Sequence, residues 1–215
     1  MEDTLFRTTL PPEEVTAIIV EPIQGGEGYI IPPSGFHISL HKIAKKYDIL
    51  YVVDEVQSGM GRTGKMLAME HFGVIPDIMA LAKGIASGMP LGALVARGEI
   101  MDWEAGFHAS TFGGNPVSCR VALATIDLLI ESLMANAALQ GDHLINGLRK
   151  LRQSHECMGD VRGKDLMVDM ELVKDREIKV SAKECRDKII NAAFRKGLPL
   201  WVVVKTIFGF ARHLR

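Results

Sequence analysis

Three short apolar runs, each followed by a charged residue, constrain this chain more than anything else in it. They are Thr16-Ala-Ile-Ile-Val-Glu21, Ile49-Leu-Tyr-Val-Val-Asp54 and Ile78-Met-Ala-Leu81, with Lys83 two residues further on. Runs of this length, rich in β-branched residues and without polar alternation, suit strands buried on both faces, the pattern of a parallel sheet. Parallel neighbours need a crossover, and the segment between the first two runs supplies one. Ser34 precedes Phe36, Leu40, Ile43, Ala44 and Tyr47, apolar or aromatic positions at helical spacing. Strand, helix and strand make a βαβ unit.

The pattern then repeats. A loop with Gly59, Gly61 and Gly64 leads to a short helix expected over 66–72, then to the strand 78–81. A further strand, Gly92-Ala-Leu-Val-Ala96, follows the turn Gly88-Met-Pro90. Asn115-Pro116 is a good helix start, Asn as cap and Pro at the first helical position. Helices are expected over 116–135 and 137–154. Composition changes near Gly159: residues 161–170 read as a pair of short strands and 182–196 as an amphipathic helix. The expected division is a large α/β domain over 1–155 and a smaller α+β domain over 156–215.

Composition limits the partners. With 25 Lys plus Arg against 26 Asp plus Glu, nothing in the charge points to nucleic acid or an anionic membrane. The apolar runs are broken by Asp or Gly short of membrane-spanning length. Met1-Glu-Asp-Thr4 lacks the basic-then-apolar pattern of a signal peptide, so a cytoplasmic protein is expected. Cys119, Cys157 and Cys185 are widely spaced and odd in number, and no C-x-x-C pair occurs. Neither a disulfide framework nor a zinc site is indicated.

Ligands of open α/β sheets sit beyond the carboxyl ends of the strands. Glu21, Asp54 and Lys83 each stand at or just past such an end, so two acids and a lysine would line one crevice. Singly, a lysine after a strand is usually a solvated surface residue, and an aspartate closing a strand is usually a turn former or cap. Schiff-base chemistry would use all three. A free lysine amine has a pKa near ~10.4; condensed with an aldehyde cofactor in a desolvated pocket it becomes an imine, ready to exchange for a substrate amine. A pyridine ring acts as an electron sink while its nitrogen stays protonated, which calls for a carboxylate beside it.

Four blocks of the sequence carry a resemblance that reaches nearly the whole chain. They are Glu21-Pro-Ile-Gln24, Val53-Asp-Glu-Val-Gln-Ser-Gly-Met-Gly-Arg-Thr-Gly64, Pro76-Asp77 with Leu81-Ala-Lys-Gly-Ile-Ala-Ser-Gly-Met-Pro-Leu-Gly-Ala93, and Ser110-Thr-Phe-Gly-Gly-Asn-Pro116. In order and spacing they resemble the class III aminotransferases, the family of ornithine and 4-aminobutyrate aminotransferases. The resemblance implies an α/β fold of the aspartate-aminotransferase type (fold type I), a mostly parallel sheet with helices on both faces followed by part of a small α+β domain. It implies pyridoxal 5'-phosphate as cofactor, amino-acid (or ω-amine) and 2-oxo-acid substrates, and a homodimer. By the same resemblance Lys83 would carry the cofactor, Asp54 would pair with its pyridine nitrogen, Val56 would pack on the ring, and Gln57 would bond near its 3-oxygen. Thr111 would bind its phosphate across the dimer interface. Glu21 would lie on the substrate side, and Arg62 would shape the glycine loop.

Two departures from the family pattern stand out. Gly25-Gly-Glu-Gly28 replaces the usual G-E-G-G. Full-length members also carry an N-terminal stretch with a phosphate-binding loop and a ring-stacking aromatic, and nothing in this sequence corresponds to them. At the other end the family continues towards G-x-x-x-x-I-R-I-x-P-P, whose arginine grips the substrate carboxylate. This chain reads Leu200-Trp-Val-Val-Val-Lys-Thr-Ile-Phe-Gly-Phe-Ala-Arg-His213. Read one nucleotide earlier with permitted codons, the stretch gives LGCGKNNIRICPP, which restores the glycine, the I-R-I core and the prolines. The expectation is a frameshift over roughly the last fifteen residues, with Arg212 and Arg215 no substitutes for the lost arginine; codons that cannot yield that string would exclude it. Two alternatives follow: a racemase or aminomutase of the same family, and a non-catalytic remnant of a broken gene.

His37 and His41, four apart on the first helix, have a metal-compatible spacing without a third ligand, so a solvated helix face is expected there. Cys119 reads as a small buried residue, and His108 as a loop-structuring one.

Overall fold

The computed structural model describes residues 1–26, 28–202 and 207–210. Arg212 and Arg215 lie outside the described residues. The chain forms two compact units: one from Met1–Pro22, Pro32–Met60 and Leu67–Leu128, the other from Ile23–Ile31, Gly61–Met66 and the residues from Leu129 onward.

The first unit contains β1 (Ala17–Val20), α1 (Phe36–Lys46), β2 (Leu50–Asp54), β3 (Ile78–Leu81), β4 (Ala93–Ala96) and α2 (Pro116–Leu128). Its sheet has the order β1-β2-β3-β4. β1 and β2 are parallel, Ala17 opposite Leu50 and Val20 opposite Val53. β2 and β3 are parallel too, Val52 opposite Ile78 and Asp54 opposite Ala80. β4 runs antiparallel to β3, with Leu81 opposite Ala93. Its direction has a simple cause: the connection from β3 holds no helix long enough for a crossover, which takes about a dozen residues or more.

The sheet is covered unequally. Tyr51 and Val53 of β2 are fully buried and pack with Ala44 of α1, Ile49, Met69 and Val74. Ile18, Val20, Leu40, Tyr47 and Phe72 surround this core. On the alternate positions Ile19 is 72% exposed, while on the edge strand β4 both faces are open, Leu94 at 47% and Val95 at 49%. Asp77 ties the sheet together at the start of β3. Its Oδ2 accepts the Tyr51 N–H at 2.7 Å, its own N–H donates to the Tyr51 carbonyl at 2.9 Å, and its Oδ1 pairs with Arg97 at 3.0 Å.

One sequence expectation fails on α1. His37 is buried, only 1% exposed, rather than on a solvated face. A ring nitrogen lies 3.0 Å from the Pro22 carbonyl, which can only accept, so Nε2 carries the proton; Nδ1 then accepts from the Tyr51 hydroxyl at 2.7 Å. Burial holds its pKa below the ordinary histidine range. A helical position that looked polar is a core residue because both of its polar atoms are satisfied from elsewhere in the fold. His41 is half-buried beside the Tyr51 ring, and no group of three or more potential metal ligands occurs among the described residues.

Helix α2 starts where the sequence placed it. The Asn115 Oδ1 accepts the backbone N–H groups of Val117 at 3.0 Å and Ser118 at 3.2 Å, satisfying donors that the helix itself cannot. The helical stretch Pro116–Ser154 is, among the described residues, the one long and apolar enough by composition to cross a membrane. Asp127 and Glu131 interrupt it, and core helices of water-soluble proteins pass the same test.

The second unit is α+β. It contains α3 (Met134–Ser154), β5 (Met158–Lys164), β6 (Met167–Asp175), β7 (Val180–Ser181), α4 (Lys183–Arg195), β8 (Trp201–Val202) and β9 (Ile207–Phe210). The sheet runs β5-β6-β9-β8, all pairs antiparallel, with β7 also on β6. Ile145 and Leu148 of α3 pack on Met158, Val161, Val168, Met170, Leu172 and Ala182. Gly141 of α3 sits so close to the Asp165 backbone, in the β5–β6 turn, that a Cβ would overlap it. Asp169 is fully buried; its Oδ2 lies 3.3 Å from Arg162, whose guanidinium also bonds Asp160 at 3.0 Å and the Gly28 carbonyl at 2.7 Å.

Candidate active site

The parallel register puts three sequence-distant residues at one edge of the first sheet. Val20 is opposite Val53, so Glu21 leaves β1 beside the last residue of β2, Asp54; Asp54 is opposite Ala80, three residues before Lys83. In a parallel sheet all three strands present their carboxyl ends on the same side, where the crevice of an open α/β fold forms. The register thus aligns the strand ends from which Glu21, Asp54 and Lys83 follow.

Each member is held differently. Asp54 is half-buried and its Oδ1 accepts the Val56 N–H at 2.9 Å, a local turn that closes the strand. Among the described residues no hydrogen bond engages its Oδ2. The ladder continues one step beyond, the Glu55 N–H donating to the Ala80 carbonyl at 3.0 Å. Val56 and Gln57 follow in this turn, both half-buried. Lys83 opens a single 3₁₀ turn, Lys83–Ala86, and is exposed, with no ion pair among the described residues. Its backbone φ of 48° lies in the left-handed region, uncommon for a residue with a Cβ and frequent where function sets the geometry. Glu21 is half-buried. The register does not extend to Thr111, which is exposed in the stretch between β4 and α2.

Sequence reasoning passed over Glu55. It is fully buried, with Oε2 accepting the Ser58 hydroxyl at 2.6 Å and Oε1 the Met69 N–H at 2.8 Å. Burial pushes its carboxyl up, and the hydrogen bonds from Ser58, Met69 and Ala68 oppose that shift. Alternation along β2 was the available signal: Tyr51, Val53 and Glu55 are buried, while Leu50, Val52 and Asp54 are half-buried. Glu55 thus anchors the 54–58 turn from the core side and fixes the N-terminus of the short 3₁₀ turn Ala68–His71, which replaces the helix expected over 66–72.

The arrangement suits a cofactor bearing both an aldehyde and a basic ring nitrogen, since it offers an exposed amine and a strand-end carboxylate with an unengaged oxygen. Comparison with known proteins agrees. The family description aminotransferase class-III matches residues 4–212. The leucine/methionine racemase of Thermococcus litoralis is 45% identical over 186 residues, covering 86% of this chain and 42% of the relative. The 4-aminobutyrate aminotransferase of Mycobacterium leprae is 41% identical over 208 residues, covering 94% and 45%. Among solved structures, an (S)-enantioselective omega-transaminase from Thermomicrobium roseum superposes with a TM-score of 0.87 at 36% identity, covering 97% of this chain and 48% of that one. The chain thus spans less than half the length of each of these relatives. It belongs to the class III aminotransferase family and has that family's aspartate-aminotransferase-like α/β fold, fold type I.

Proposed function

We propose that this chain carries the cofactor-binding strand edge of a pyridoxal-phosphate-dependent transaminase, which moves an amino group from an amino acid or ω-amine to a 2-oxo acid. The observation that carries the reading is that Asp54 ends β2 while Glu21 and Lys83 follow the carboxyl ends of its two parallel neighbours, β1 and β3. When bound, pyridoxal phosphate supplies an electron sink for the charge released when an amino acid loses its α-proton. Lys83 would hold the cofactor through its amine, and the same amine, when free, would be the base that takes and returns the α-proton. Asp54 would hold the proton on the pyridine nitrogen, through a charge-assisted hydrogen bond of about 1.5–3 kcal/mol. Val56 would pack on the ring and Gln57 would bond near the 3-oxygen. Thr111 would reach the phosphate across a homodimer interface, and Glu21 would face the substrate. Residues 1–155 would then be the C-terminal part of the large domain and 156–215 part of the small one, in a cytoplasmic enzyme.

A second reading has an observation of its own: the leucine/methionine racemase above is as similar as the aminotransferases. Both chemistries begin with the same proton abstraction and differ in whether the nitrogen leaves. Two experiments separate the outcomes. Mixing the purified chain with pyridoxal phosphate should give an absorption band at about 410–430 nm, and borohydride should then fix the adduct on Lys83. A folded sample without the band would overturn the cofactor reading and favour a non-catalytic remnant. Loss of α-deuterium from an amino acid without amino transfer to a 2-oxo acid would favour the racemase.

A further inference from the structure

The turn that presents Lys83 is strained at both ends. Lys83 and Ser87 each have φ of 48°, and they bracket the 3₁₀ turn Lys83–Ala86. Residues with a Cβ seldom adopt this conformation singly, so the surrounding structure must impose it here. Part of the restraint is apolar: Ile85 and Ala86 are buried, at 7% and 0% exposure. The polar part is a side-chain bond, the Ser87 Oγ lying 2.8 Å from the Oγ1 of Thr125 on α2. Thr125 Oγ1 also lies 2.8 Å from the Val121 carbonyl, which can only accept. The one hydroxyl proton of Thr125 is committed there, so the Ser87 hydroxyl must donate to Thr125. Thr125 is itself 9% exposed, so the acceptor side of the bond is shielded, while Ser87 reaches it from an exposed turn. The chain Ser87 to Thr125 to Val121 thus pins the far end of the lysine turn to a helix.

We infer that Thr125 is a positioning residue for Lys83, acting through Ser87. It holds the backbone of the turn in the conformation from which the lysine amine leaves the strand edge. The inference rests on the cofactor reading above, because only that reading gives the amine a task.

The test uses the whole chain and pyridoxal phosphate as probe. Borohydride trapping followed by peptide mass mapping reads the rate at Lys83 against surface lysines, with thermal unfolding alongside. Thr125→Val keeps the shape and removes the acceptor; trapping at Lys83 should slow by about tenfold, with surface lysines unchanged, and Thr125→Ser should restore it. Ser87→Ala removes the donor without touching the helix core, so it should slow Lys83 in the same way even if Thr125→Val fails to fold. Parent-like trapping at Lys83 in Ser87→Ala, or in a folded Thr125→Val, would overturn this inference alone, as would failure of Thr125→Ser to restore the rate. No preference for Lys83 in the parent chain would overturn the cofactor reading, and this inference with it.

Discussion

Two buried titratable residues give the fold opposite responses to pH. His37 is neutral in the core because a proton on Nδ1 would displace the Tyr51 hydroxyl bond and bring a charge out of water. Its folded pKa lies below the ordinary 6.5. The stabilisation is therefore complete above that value and is lost as pH falls through and below it. Denaturant midpoints measured from pH 8 to pH 5 should fall more steeply for the parent than for His37→Gln, and equal slopes would refute the assignment. Asp169 works the other way. Burial outweighs the Arg162 guanidinium, which is shared with Asp160 and the Gly28 carbonyl, and raises the carboxyl from 3.8 to about 7. The native state thus holds a proton that the unfolded chain releases, and stability declines as pH rises between those values. Asp169→Asn should flatten that decline, read from the same midpoints between pH 4 and pH 7.

At the scale of elements, the unequal faces of the first sheet set different sensitivities on neighbouring strands. Val53→Ala empties space in a fully buried core and should cost about 1.5–3 kcal/mol. Ile19→Thr, on the adjacent strand and 72% exposed, should stay within roughly 0.5 kcal/mol. Urea unfolding of both variants checks the contrast, and a large loss at Ile19 would mean that its face is covered in solution. The elements the sequence disclosed were those specified by neighbours in the chain: β1 to β4 by their apolar runs, α1 and α4 by helical spacing, α2 by Asn115 and Pro116. What it concealed depends on distant partners. His37 looked solvated because the groups that satisfy it, Pro22 and Tyr51, are brought to it by the fold. Glu55 was hidden inside a motif whose neighbours drew attention to cofactor contacts, and only its fully buried, hydrogen-bonded side chain reveals its separate task.

At the scale of the whole molecule, the parallel sheet turns separations of about thirty residues into adjacency at one edge, which is why strand ends alone pointed to Glu21, Asp54 and Lys83, whereas Val56, Gln57 and Thr111 were named only through the family resemblance. That adjacency divides labour between Lys83 and Asp54 in a way that paired variants can separate. On the proposed function Lys83→Ala removes the amine that would anchor the cofactor, so the band at about 410–430 nm should be absent whatever the pH. Asp54→Asn leaves the amine and changes only the group that would face the ring nitrogen, so the band should persist. What fails in Asp54→Asn is retention of the ring proton, and with it the electron sink. Exchange of the amino-acid α-deuterium should then slow by roughly ten- to a hundredfold, the rate equivalent of the about 1.5–3 kcal/mol carried by one charge-assisted hydrogen bond. Parent-like exchange in Asp54→Asn, with the band intact, would mean that another group protonates the ring and that the strand-end carboxylate serves the turn through Val56 alone.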